Sequence, residues 1–122
     1  MWAASLLALA HGLLQAAPVA PSVRAEIDGL MAAMQASNCQ FNRNGSWYEA
    51  AEAKAHLLRK LEYLEGKDMV KTTEQFIERA ASTSSSSGKP YLVRCGGAAA
   101  QASQPWLSAQ LQLLRAKPAA GR

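Results

Sequence analysis

The chain has 122 residues, with 13 lysine and arginine side chains against 9 aspartate and glutamate side chains, which gives a net charge of +4. This length holds one domain, and the positive residues are scattered, so nucleic-acid binding is not expected. Two histidines and two distant cysteines do not form a spaced ligand set. We therefore expect no metal site and no cofactor.

The N-terminal segment has the layout of a secretory signal peptide. An apolar stretch that ends at Leu14 is followed by small residues, and the first charged side chain is Arg24. The stretch is too short to span a bilayer, which needs about 20 apolar residues. We expect a signal peptide over residues 1–20, a periplasmic or secreted location, and no stable membrane insertion after cleavage. The alternative is the first helix of a cytosolic fold, against which Pro18 and Pro21 argue because they would break it.

The predicted mature domain opens with an amphipathic pattern. Apolar residues at helical spacing predict a helix over residues 21–36. Cys39 and Phe41 then alternate with polar neighbours, which predicts a short strand. The dipeptide at 44–45, Asn-Gly, predicts a tight turn because both residues tolerate positive φ.

A second helix is predicted directly after this turn. Ser46 with Glu49 three residues later has the pattern of a capping box. Apolar residues cluster on one side of a helix over residues 47–65, and Gly66 is a natural stop.

The rest of the chain alternates helical and extended patterns. Thr72 and Gln75 form a second capping-box pattern, which predicts a shorter third helix. The later predictions are a serine-rich loop at 82–90, a strand at 91–95 that pairs with the first, a mobile connection at 96–102 and a last helix from Ser103.

Together these elements predict a mainly α fold of the α+β class. About four helices pack around a small two-stranded antiparallel sheet, with one disulfide. The single compact domain covers residues 21–116, and residues 117–122 form a disordered tail. The predicted core consists of Trp47, Leu57, Leu61, Phe76, Ile77, Val93, Trp106 and Leu111.

Both cysteines, Cys39 and Cys95, lie in the predicted mature chain. An even number in an exported protein favours a disulfide. Closing a loop of about 57 residues contributes roughly 4 kcal/mol in the chain-entropy model. The alternative is two unrelated buried thiols.

Three stretches of the domain carry a family resemblance. They are FNRNGSWYEAAEAKAHLLRKLEYL, TTEQFIERAASTSSSSGKPYLVRC and PWLSAQLQLLR. Together they resemble the YfeK-like family of small exported bacterial proteins over roughly residues 38–115. The most specific matches are at 43–45, 53, 56–57, 76–77 and 85–91. The resemblance implies an envelope location and a domain of unknown function. That family has no accepted catalytic residue, so none is carried over.

The serine-rich loop is the first candidate site. The hydroxyls of Ser85, Ser86 and Ser87, backbone N–H groups and the ammonium of Lys89 together suit an anion. The loop lacks the glycine spacing of a P-loop. The alternative is a plain helix exit and turn, in which Gly88 supplies a left-handed conformation.

The second candidate is Arg43 and Asn44 with Tyr48. A planar guanidinium and an amide beside a tight turn suit a carboxylate or a sugar. In the architectural alternative, Asn44 makes the turn and Arg43 pairs with a glutamate of the second helix.

The third candidate is His56, four residues after Glu52 and seven before Tyr63 on the polar side of the second helix. Such a trio suits proton transfer. The alternatives are an ordinary surface Glu–His pair or a half-buried histidine that bonds the serine-rich loop.

The predicted function is that of a non-catalytic envelope protein that binds a partner protein or a cell-wall fragment. The alternative is a small hydrolase or transferase that uses the serine-rich loop, Lys89 and His56, in which Lys89 needs a buried amine. Convergence of Arg43, His56, Tyr63 and Lys89 on one concave surface favours an enzyme or small-ligand binder. Their dispersal over a convex surface favours a protein-facing role.

Overall fold

The computed structural model describes residues 18–117. Most of the predicted signal peptide and the tail from residue 118 lie outside this range. Val19, two residues before the predicted domain start, is buried, and its N–H donates to Glu65 Oε2 at 2.8 Å. Within the described range, every helix falls short of the length and apolar character that crossing a membrane requires.

Four helices and four strands make up the described range. The helices are α1 (Pro21–Ala36), α2 (Ala50–Gly66), α3 (Thr73–Ala80) and α4 (Ser103–Ala116). The strands are β1 (Gln40–Arg43), β2 (Ser46–Glu49), β3 (Leu92–Arg94) and β4 (Gln101–Ala102). They form one antiparallel sheet in the order β2-β1-β3-β4. The α+β class and the count of four helices are confirmed, whereas the prediction of a two-stranded sheet is wrong.

The predicted central pair, β1 with β3, is confirmed, with Phe41 opposite Val93. The additional strand β2 is formed by residues that were predicted to begin the second helix. Asn44 and Gly45 both have positive φ, 52° and 86°. A two-residue turn of this kind sends the chain straight back along β1, and the aromatic residues that follow it favour a strand.

The predicted capping box at the start of α2 is therefore wrong. Ser46 lies in β2, opposite Arg43, and the residue before the helix is Glu49, whose side chain makes no capping hydrogen bond. The end of α2 also lies later than predicted. Gly66 is the last residue of the helix instead of the residue after it, and the left-handed conformation that follows the helix is adopted by Asp68. At α3 the helix and the Thr72 half of the predicted capping box are confirmed, since Thr72 accepts a hydrogen bond from the Gln75 N–H. The Gln75 side chain accepts from the Lys71 N–H instead of completing the box.

The fourth strand, β4, lies in the predicted mobile connection. Its two residues pair with β3, with Ala102 opposite Leu92 and Gln101 opposite Val93. A strand this short depends on its neighbour rather than on its own sequence pattern. The Ser103 N–H then donates to the Tyr91 carbonyl and leads into α4.

The disulfide between Cys39 and Cys95 is confirmed, with an S–S distance of 2.07 Å. It joins the residues that flank β1 and β3, and Cys39 is buried. All the predicted core residues are buried except Trp47, which is half-buried. The Trp47 ring lies under the Arg94 guanidinium, 4.0 Å from its carbon. It faces away from the helices because it pairs with Asn42, next to the helix-facing Phe41, and side chains alternate along a strand.

Candidate functional site

Strand register places two of the candidate residues on the helix-facing side of the sheet. Phe41 and Val93 are paired, buried and face the helices. Side chains alternate along a strand, and opposite residues share a face. Arg43 and Tyr48 therefore point to the same side as Phe41.

The helix α2 supplies the facing wall. His56, Arg59, Lys60 and Tyr63 follow one another at i, i+3, i+4 and i+7, which places them on one face of the helix. The serine loop, defined as residues 82–90, closes the third side.

Two adjacent spaces lie between these walls. The outer cleft has a volume of ≈ 690 Å³, and its lining includes Arg59, Lys60, Tyr63 and serines of the loop. The inner pocket has a volume of ≈ 170 Å³ and extends towards the core. The two spaces meet at the residues that line both of them, which are Arg43, Tyr48, His56, Arg59 and Tyr91.

His56 lies at the centre of a hydrogen-bond network. Arg43 Nη1 is 2.7 Å from His56 Nδ1 and 3.2 Å from Nε2, and Nε2 is 3.1 Å from the Tyr91 hydroxyl. A guanidinium can only donate, so we assign the nearer Nδ1 as the acceptor and place the ring proton on Nε2. The Tyr91 oxygen then accepts from His56 and from Lys60 Nζ, which is also 3.1 Å away. Its own hydroxyl proton is left to donate.

The electrostatics of the network keep His56 neutral. Burial, together with the positive charges of Arg43, Lys60 and Arg59, lowers the pKa of His56 to about 4. Burial and the charge of Arg43 also lower the pKa of Lys60. Burial raises the pKa of Tyr91, so its hydroxyl stays protonated near neutral pH.

The positive charges of the cleft have no carboxylate in contact. None of the ion pairs within residues 18–117 includes Arg43, Arg59 or Lys60. Lys60 Nζ donates instead to the Thr83 carbonyl and the Tyr91 hydroxyl, and Arg43 lies 5.1 Å from the centre of the Tyr48 ring. Among described residues, Glu52 is the only acidic side chain that lines either space. The cleft is therefore strongly electropositive.

Asn44 fixes the serine loop to the sheet. Its Nδ2 donates to Ser84 Oγ at 3.1 Å, and its Oδ1 accepts from Ser87 Oγ at 2.6 Å. Ser84 and Ser86 are also hydrogen-bonded to each other, at 3.0 Å. The positive φ of Gly88 agrees with the turn expected there. Several of the serines thus hold the wall of the cleft in place.

The chain matches, over residues 21–115, the model of a family described as a family of unknown function, DUF5329. The chain belongs to this DUF5329 family. It is also 40% identical, over 68 residues, to a protein of Salmonella typhimurium described as uncharacterized protein YfeK. The aligned region is 55% of this chain and 55% of that relative, so the chain spans about half the length of the curated relative it matches. These matches confirm the resemblance to the YfeK-like family. No solved structure matches the chain.

Convergence of four residues was expected to distinguish a small-ligand site from a protein-facing surface, and three of the four converge in this DUF5329 domain. Arg43, His56 and Tyr63 all line the outer cleft, which is concave. Lys89 is exposed and lines neither space. Arg43 is hydrogen-bonded to His56 rather than to a glutamate of α2.

The remaining candidate residues divide into two groups. Tyr48, Ser85 and Ser86 line the outer cleft together with Asn44. Ser87 does not line it and serves as a tether, because its hydroxyl donates to Asn44 and accepts from the backbone N–H of Lys89.

Sequence reasoning missed Arg59, Lys60, Ser84 and Tyr91 as members of the site. For Arg59 and Lys60 a signal existed, because they follow His56 at the spacing that keeps residues on one helix face. Tyr91 carried no such signal, since its alternation with Val93 is that of an ordinary buried strand residue.

Proposed function

We propose that this chain is an exported, non-catalytic binding protein of the bacterial envelope that holds an anionic ligand in the outer cleft. The ligand chemistry is a carboxylate or a phosphate carried by a cell-wall fragment or by the surface of a partner. The observation that carries the proposal is the convergence of Arg43, Arg59 and Lys60 on one concave site without a carboxylate in contact.

The available donors suit an oxyanion. Arg43 uses one nitrogen for His56 and keeps further N–H groups, and the Arg59 side chain is exposed at the rim. Guanidinium groups bind carboxylate and phosphate through paired, charge-assisted hydrogen bonds. The Tyr91 hydroxyl and the hydroxyls of Ser85 and Ser86 add neutral donors around the same space.

An exported location is supported by the disulfide between Cys39 and Cys95. Disulfides persist in oxidising compartments and are rare in the cytosol. The predicted signal peptide at residues 1–20 agrees with this location.

The alternative of a hydrolase or transferase stays a prediction. His56 engages both ring nitrogens, one with Arg43 and one with Tyr91, so neither is left as a base for a substrate. Lys89 is exposed, whereas a lysine that activates a serine needs a desolvated amine. Both features favour binding over proton transfer.

The test is a titration of the exported, disulfide-bonded protein with sodium acetate and, separately, inorganic phosphate, followed by amide shifts in NMR spectra. The two probes distinguish a carboxylate preference from a phosphate preference. We expect saturable shifts confined to the outer cleft and the serine loop. Arg59→Gln is expected to weaken binding at least threefold.

Arg24→Gln is the matched control, because Arg24 is also a helix-surface arginine but lies on α1, where it pairs with Asp28. It should leave the dissociation constants unchanged. Shifts spread over the whole surface, or equal losses in the two variants, would show that only net charge matters and would overturn the proposal.

A further inference from the structure

The inner pocket differs in chemistry from the outer cleft. Its wall is formed mainly by apolar side chains from three helices and the sheet, including Met34, Phe41, Leu57 and Leu107. Its volume of ≈ 170 Å³ compares with the roughly 150 Å³ of an apolar cavity that accepts a benzene molecule. The space therefore fits one aromatic ring or one short branched alkyl group.

Two polar groups at the inner end of the pocket already have partners within the protein. The Ser103 hydroxyl donates to the Ala81 carbonyl at 2.6 Å, and Asn42 Oδ1 accepts from the Gly45 N–H at 3.1 Å. Water is held in a cavity by two to four polar partners. With these two groups engaged, the inner end of the pocket offers few partners to water and suits an apolar occupant.

The positions of the charged residues set the orientation of an occupant. Arg43 and Arg59 line both spaces, whereas Lys60 lines only the outer cleft and Glu52 lines only the inner pocket. The outer cleft therefore carries the larger excess of positive charge and favours the anionic group, and the mainly apolar wall of the inner pocket favours the apolar group. The rings of Tyr48, His56 and Tyr91 lie at the boundary between the two spaces, where an apolar group can pack against them.

We infer that the ligand is an amphipathic anion, with one ring or short branched alkyl group in the inner pocket and a carboxylate or phosphate in the outer cleft. The anionic end of this inference rests on the function proposed above. The apolar end rests only on the inner pocket and its position directly behind Arg43 and His56.

The experiment compares three probes on the intact disulfide-bonded protein by calorimetry and NMR titration. Phenylacetate carries a ring and a carboxylate, acetate carries the carboxylate alone, and benzyl alcohol carries the ring alone. We expect phenylacetate to bind at least tenfold more tightly than acetate, with shifts at Leu57 and Leu107 that acetate does not cause.

A pocket-filling variant tests the location. Ala53 lines the inner pocket, so Ala53→Leu should remove the advantage of phenylacetate over acetate while acetate still binds. Ala51→Leu is the matched control, because Ala51 is an exposed residue of the same helix and does not line the pocket. It should keep the tenfold difference.

The three probes separate failure of the inference from failure of the proposed function, even if Ala53→Leu does not fold. Equal affinities of acetate and phenylacetate for the unmodified protein would overturn the amphipathic ligand and leave the anion site standing. Equal affinities of benzyl alcohol and phenylacetate, with no acetate binding, would overturn the anion site and, with it, the amphipathic anion. Absence of binding by all three probes would overturn both.

Discussion

The buried environment of His56 should make the free protein lose stability in mildly acidic solution. The pKa of His56 is lowered from 6.5 to about 4, with burial as the largest cause. Between these values the unfolded chain binds a proton that the folded protein resists, so the free energy of unfolding falls as the pH falls. Above about pH 7.5 both states are neutral at this residue, and the contribution is constant.

The magnitude follows from the width of that window. At pH 5 the full shift corresponds to a loss of about 2 kcal/mol relative to pH 7.5. Because the ring is half-buried, solvent screening reduces this to about 1 kcal/mol. His56→Gln removes the titrating group and keeps an acceptor for Arg43 and a donor for Tyr91. It should therefore lose about 1 kcal/mol less than the unmodified protein over the same range.

The assay is urea unfolding of both proteins at pH 7.5 and pH 5, with the His56 ring titrated by NMR in parallel. Arg115 lowers the pKa of Glu26 by a hydrogen bond, which adds an acid-dependent loss below about pH 4.5. This loss is common to both proteins and cancels in the comparison, as does any contribution from His11, which lies outside the described residues. Equal pH dependence of the two proteins, or a His56 pKa near 6.5, would refute the reasoning.

Two further predictions concern the parts that hold the site together. Replacing both cysteines, Cys39→Ala with Cys95→Ala, should lower the free energy of unfolding by about 4 kcal/mol, as measured by urea unfolding. A loss below about 1 kcal/mol would show that the disulfide does not constrain the unfolded chain. Asn44→Gly keeps the left-handed turn but removes both side-chain contacts with the serine loop. It should lower the free energy of unfolding by about 1 kcal/mol. It should also speed hydrogen exchange of the Gly88 amide, whose N–H donates to the Ser84 carbonyl. Unchanged exchange there would show that the loop holds itself in place.

Sequence reasoning recovered the elements whose signal is local and periodic. The helix α1 begins and ends as predicted, and α3 begins at its Thr72 cap. The pairing of β1 with β3 also followed from sequence, because alternation over residues 91–95 and the two cysteines both point to it. For each helix one stretch of chain carries the information, whereas the strand pairing needed two segments that the cysteines link.

The errors occurred where a tertiary contact chose between two local patterns. Ser46 and Glu49 fit a capping box, but the turn at Asn44 and Gly45 brings the same residues alongside β1. Pairing across the turn satisfies the backbone groups of the segment, so the strand forms and α2 begins later, at Ala50. The sequence contains both patterns, and the pairing with β1 decides between them.

The site was only partly predictable for a similar reason. Arg43 and His56 were each identified as candidates by their residue type, but their contact depends on strand register and helix phase together. The contribution of Tyr91 depends in addition on a third segment, distant in sequence from both. Each of these relations is fixed only when the sheet packs against α2.

The charge distribution distinguishes a functional site from ordinary packing in this fold. A domain that needed only stability would place a carboxylate among Arg43, Arg59 and Lys60, since each nearby like charge raises the cost of the next. The chain does this at the end of α4, where Arg115 forms paired contacts with Glu26 and Glu74. The same chain therefore balances its charges where they are structural and leaves them unbalanced in the outer cleft. Proteins tolerate such a local conflict mainly at functional sites, and the anionic ligand that we propose would relieve this one.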